Sequence, residues 1–107
     1  MSGLVQVRVV RETDSILAFH HTRPHWPTHI VVIPKRHVPS LVELGLGGEA
    51  ILTELMAVVR DVAAEVLDLD GACLVLTNLG RYQDSKHLHF HVSSGEPLNS
   101  CPPLNRG

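Results

Sequence analysis

The chain has 107 residues with a formal net charge of −2, and 44% of them are hydrophobic against 19% charged. That length suits one core, so a single domain over residues 1–107 is expected, and the charge balance offers no electrostatic basis for nucleic-acid binding. No apolar run approaches the roughly 18 to 20 residues of a membrane span, and "MSGLVQVRVV" lacks a signal-peptide profile, so a globular cytoplasmic protein is expected.

Residues 4–10 alternate apolar and polar side chains, which predicts a half-buried strand. "TDS" is turn chemistry, and residues 16–19 form a short apolar strand, making a hairpin with the first. "HHTRPHWPTH" has two prolines and no periodicity, and reads as a loop. Residues 29–33 are dense in β-branched side chains and predict a strong strand. Ser40 then offers a helix N-cap.

From residue 49 to 67 the period changes. Ile51, Leu52, Leu55, Met56, Val59, Val62, Ala63 and Val66 recur at three and four, which predicts one long helix whose stripe is core. "DLDGA" stops it, residues 73–78 form a strand, "LGRYQDSK" is a polar loop, and residues 87–92 are the last strand. Residues 96–107 are an irregular tail. Cys73 lies in a strand as a small apolar residue and Cys101 in the Pro-rich tail; a disulfide is not expected in a reducing compartment. The fold class is α+β: a five-stranded, mainly antiparallel sheet with one face packed by the long helix.

The unusual count is eight histidines. His20, His21, His25, His29 and His37 precede the helix, and His87, His89 and His91 sit in "KHLHFHV". On a strand these last three share one face, with Leu88, Phe90 and Val92 on the other. Three readings fit that display. It is the polar face of an edge strand, or part of a zinc site completed by an acid such as Asp84 or Glu96, or a covalent catalyst in which a neutral imidazole attacks phosphorus while its neighbours donate to the phosphoryl oxygens.

"HLHFHVSS" resembles the signature of the histidine triad family, in which histidine alternates with apolar residues. "AFHHTRPHWPTHIVVIPKRHVPSL" is similar to that family's N-terminal segment, with Phe19, Pro24, Pro27, His29 and His37 in order, and Asn78 and Gln83 fall at matching positions. The likeness covers residues 14–95 and looks nearest to the nucleotide-binding, phosphoramidase branch. It implies a five-stranded antiparallel sheet with a long helix, a homodimer, and hydrolysis of nucleoside 5′-phosphoryl compounds at the α-phosphorus without a metal or other cofactor. It implies His89 as nucleophile, the His87 carbonyl orienting that ring, His91 and Gln83 on the phosphate, and His37 completing the set. Phe19, His21, Asn78, Gln83, Asp84 and Lys86 are the positions implied to meet the substrate. Four features depart from the pattern: His21 replaces an aspartate that holds ribose, Asp84 replaces a serine or threonine, the loop from Asn78 to Gln83 is short, and no N-terminal helix is read. His21 and Asp84 favour, as an alternative, a transferase or other enzyme acting on a phosphorylated non-nucleoside; a non-catalytic nucleotide- or metal-binding module using the same histidines is a further alternative. Arg81 and Lys86 are either phosphate ligands or solvated loop cations. Trp26 either stacks on a base or is buried against the sheet.

Overall fold

The computed structural model describes residues 7–98. Its sheet consists of β1 (Val9–Glu12), β2 (Ile16–His20), β3 (Thr28–Pro34), β4 (Leu74–Leu76) and β5 (Phe90–Ser94). The spatial order is β1-β2-β3-β5-β4 and every pairing is antiparallel. The helix α1 (Gly48–Asp70) packs on one face, against β2, β3 and β5. Among the described residues no helix is long and apolar enough to cross a membrane.

The first strand starts later than the alternation predicts. Residues 4–6 lie outside the described residues, and the ladder begins at Val9. A bulge between Val9 and Arg11 breaks the period of two, so Val10 packs on the core while Val9 is left exposed. The turn to β2 forms as expected: the Thr13 hydroxyl accepts the N–H groups of Ser15 and Ile16 at 3.3 and 3.0 Å.

The helix does not start from Ser40. That residue makes an isolated bridge with Glu43, and α1 begins after Gly47. Gly45 and Gly47 have φ of 77° and 75°, a left-handed backbone that no helix can run through, so helical turns begin only at Gly48. At the other end the helix passes Leu67 and stops at Asp70, where Gly71 donates its N–H to the Leu67 carbonyl at 2.8 Å.

Leu55, Val58, Val59, Val62 and Val66 are the buried face of α1, against Ile16, Ala18, Ile30, Val32, Leu88, Phe90 and Val92 of the sheet side. Met56, predicted in this stripe, is 40% exposed. It follows Leu55 by one helical step, about 100° around the axis, which carries it off the face that Val58 and Val62 occupy. Cys73 packs against the core, where burial, then the nearby Asp70, raises its thiol pKa. Cys101 lies outside the described residues.

Asp70 accepts hydrogen bonds from Thr28 at 3.2 Å and from Ser94. A carboxylate here opposes the helix dipole, yet it ties the ends of β3 and β5 to the helix. Asp70→Ala is expected to lower stability by about 1 kcal/mol in urea unfolding. An unchanged midpoint would show that the two bonds contribute nothing net.

Candidate active site

The sheet face away from α1 floors a cavity of about 560 Å³. Strand register explains its floor. Phe19 lies beside Val31, and Val31 lies beside His91, so one rung delivers an aromatic ring, an aliphatic side chain and an imidazole to the same place. Ile33 extends that floor. The connection between β2 and β3 supplies His21, Thr22, Arg23 and His25; the segment from β4 to β5 supplies Asn78, Tyr82, Asp84, Ser85, His87 and His89.

The regular ladder of β5 begins at Phe90 rather than at His87. The residues before it still alternate: Leu88 is buried in the core, while His87 and His89 face the cavity. Leu88 donates its N–H to the Val38 carbonyl at 2.7 Å, so the loop after β3 holds this stretch in place of a partner strand.

Two hydrogen-bonded chains set the histidine tautomers. In the first, the N–H of His25 donates to His29 Nδ1 at 3.0 Å, so neutral His29 carries its proton on Nε2. That Nε2–H meets His91 Nδ1 at 2.9 Å, which leaves the His91 proton on its own Nε2. His91 Nε2 is buried with no hydrogen-bond partner among the described residues. A buried donor without an acceptor is costly, and this one belongs to a ring that lines the cavity. In the second chain, His87 Nε2–H donates to the Pro34 carbonyl at 2.6 Å and His87 Nδ1 faces His37 Nδ1 at 3.3 Å, with the rings stacked at 5.3 Å.

His89 stands between the chains. Its Nδ1–H donates to the His87 carbonyl at 2.8 Å, so in the neutral ring the lone pair is on Nε2. Its ring lies 5.0 Å from that of His91, edge to face. Burial, reinforced by neighbouring histidines, pushes His29 down to about 3 and His91 down to about 4, so both are neutral at physiological pH. Burial, then His25 and His89, lowers His21 as well.

Of the residues that the resemblance implies, His87, His89, His91, Phe19, His21, Asn78 and Asp84 line the cavity. Asn78 is buried there, whereas Asp84 is exposed. His37 reaches the array only through its stack on His87. Gln83 is buried, with its amide donating to the Pro39 carbonyl at 2.8 Å. Lys86 turns its ammonium to the carbonyls of Gln83 and Gly80, at 2.8 and 3.3 Å, which closes its own loop. Arg81 lies over the Tyr82 ring, and His20 and Trp26 are half-buried; none of these three lines the cavity. Among the described residues no group of three or more His, Cys, Asp or Glu side chains is placed to hold a metal ion.

The HIT domain model matches residues 4–98. The chain belongs to the HIT family. An uncharacterised HIT-like protein of Synechocystis is 34% identical over 100 residues, spanning 92% of this chain and 87% of its own. The solved structure of a HIT family hydrolase from Legionella pneumophila is 25% identical with a TM-score of 0.75, covering 92% of this chain and 90% of that one. A hypothetical histidine triad nucleotide-binding protein from Sulfolobus tokodaii is 28% identical with a TM-score of 0.73, covering 87% and 71%.

Sequence reasoning gave His29 no role in the site of this HIT domain. The signal was present: His29, Val31 and Ile33 alternate on β3 and share a face. Thr22, Arg23, Tyr82 and Ser85 also line the cavity from loops, where no period marks them.

Proposed function

We propose that this HIT domain is a cytoplasmic enzyme that hydrolyses nucleoside 5′-phosphoryl compounds, phosphoramidates among them, through a nucleotidyl intermediate on His89. The observation that carries the reading is the pairing of His89, whose Nε2 lone pair is freed by the bond from Nδ1 to the His87 carbonyl, with the partnerless Nε2–H of His91. His89 attacks phosphorus through Nε2, a new N–P bond replaces the bond to the leaving group, and the leaving group departs with a proton taken from solvent while His89 keeps its own on Nδ1. The His91 donor takes up the charge that grows on the phosphoryl oxygens. Water then cleaves the N–P bond and restores the ring. The names of the Legionella and Sulfolobus relatives, a hydrolase and a nucleotide-binding protein, support this class of chemistry.

The reading routes no step through a metal: its working groups are the His89 Nε2 lone pair and the His91 Nε2–H. It also takes the protein as a homodimer; β4 leaves a sheet edge with Val75 exposed, and equilibrium sedimentation tests this. A second reading, a phosphorylated non-nucleoside substrate, is favoured by His21 and Asp84 on the cavity wall.

The test is turnover of adenosine 5′-phosphoramidate with and without a chelator, with intact mass taken after rapid acid quench. Chelator-resistant release of the nucleotide and a transient adduct of one nucleotidyl mass are expected. Loss of turnover on chelation would overturn the reading.

A further inference from the structure

The two loops that wall the cavity come from opposite ends of the sheet. The β2–β3 connection leaves where His20 pairs with Ile30 and Thr28 with Ser94. The loop before β5 enters at the other end, where His87 bonds to the Pro34 carbonyl. Charge is divided the same way. Asp84, the only carboxylate on the cavity lining among the described residues, belongs to the second loop, while Arg23, His21 and His25 belong to the first.

The first loop is arranged as a set of donors. The Arg23 N–H donates to His21 Nδ1 at 2.9 Å, so neutral His21 presents Nε2–H. The His21 ring lies 6.1 Å from that of His91, nearly parallel at 23°. Arg23 is among the residues lining the cavity, and its side chain makes no ion pair among the described residues. A guanidinium fork beside an imidazole donor is suited to a planar or tetrahedral oxyanion. Among the described residues nothing on this wall is a carboxylate that would accept hydroxyl groups or repel an anion.

We propose that the Arg23–His21–His25 wall binds a second oxyanion carried on the organic part of the substrate, beside the phosphoryl group facing His89 and His91. The substrate class is thus a phosphorylated compound bearing a further carboxylate or phosphate. The inference rests on the reading of His89 and His91 as the phosphoryl-facing wall.

Equilibrium titration calorimetry with three probes tests it: glycerol 3-phosphate, 3-phosphoglycerate and propane-1,3-diol bisphosphate. At least one of the two-anion probes is expected to bind about tenfold more tightly than glycerol 3-phosphate. Which of them gains shows whether the second group is a carboxylate or a phosphate. Arg23→Gln is expected to remove that gain while glycerol 3-phosphate binding stays within about twofold, and Arg81→Gln, which loses the same charge off the cavity, to retain it. Equal binding of all three probes, a gain that survives Arg23→Gln, or a gain lost equally in Arg81→Gln would overturn the inference alone. No binding of glycerol 3-phosphate would overturn the phosphoryl-wall reading and this inference with it.

Discussion

Replacing His89 with alanine is expected to lower turnover of adenosine 5′-phosphoramidate by about 10⁴-fold or more and to abolish the nucleotidyl adduct. The size follows from the role. A nucleophile forms the bond that the reaction runs through, so its loss removes the covalent route. Only positioning and the remaining donors are left to act on water. His91→Leu is expected to cost less, about 10²- to 10³-fold, because it removes one donor to the growing charge and keeps the nucleophile. The two variants also separate by product. His91→Leu still forms an adduct, slowly, whereas His89→Ala forms none. His89 is half-buried and, among the described residues, its side-chain hydrogen bond is local, to the His87 carbonyl, so the alanine variant is expected to keep its fold. Its urea midpoint should match the wild type. An alanine variant that retains more than about a tenth of wild-type turnover would assign the nucleophile elsewhere.

The helix and the sheet could be read in the sequence where periodicity is long and backbone-driven. Residues 49–67 repeat the helical period often enough for one misplaced member, Met56, not to matter. Ends were read less well, because they depend on single φ values. Gly45 and Gly47 decide where α1 begins, and nothing in the Ser40 side chain shows that. The β1 strand shifted for a similar reason: a bulge is one residue of extra chain, invisible to a period of two until its partner is placed.

The site divides along the same line. His87, His89 and His91 lie two positions apart, and their shared face follows from local geometry. The tautomer of His91 does not. It depends on His29, 62 residues away, which in turn depends on the N–H of His25. Such a chain exists only once β3 and β5 are paired in the register that puts Val31 beside His91. Lys86 shows the opposite case. Its sequence position beside the triad made it a candidate phosphate ligand, but the tight loop from Gly80 offers two carbonyls closer to hand.

The buried chain has a cost in acid. His29 and His91 titrate at about 3 and about 4 in the folded protein, against an ordinary 6.5. As pH falls from neutrality, the unfolded chain takes up protons on these two groups first and the folded protein does not. Stability from this source is therefore complete above about pH 6.5 and is lost progressively as pH falls toward 4 and then 3, by up to about 1.4 kcal/mol per pH unit for each group. His20 and His21, also lowered by burial, act in the same direction. The exposed pairs Arg11–Glu65 and Lys35–Glu12 add little. Urea midpoints are expected to fall steeply between about pH 6.5 and 4.5. His29→Gln isolates the cause. An amide at this position still offers an acceptor to the His25 N–H and a donor to His91, and it does not titrate. The variant is expected to be less stable than the wild type at pH 7 but to lose less on acidification, so the two curves converge. A wild-type midpoint that stays flat to pH 4.5, or parallel curves for the two proteins, would show that the His29–His91 pair is not what makes the fold acid-sensitive.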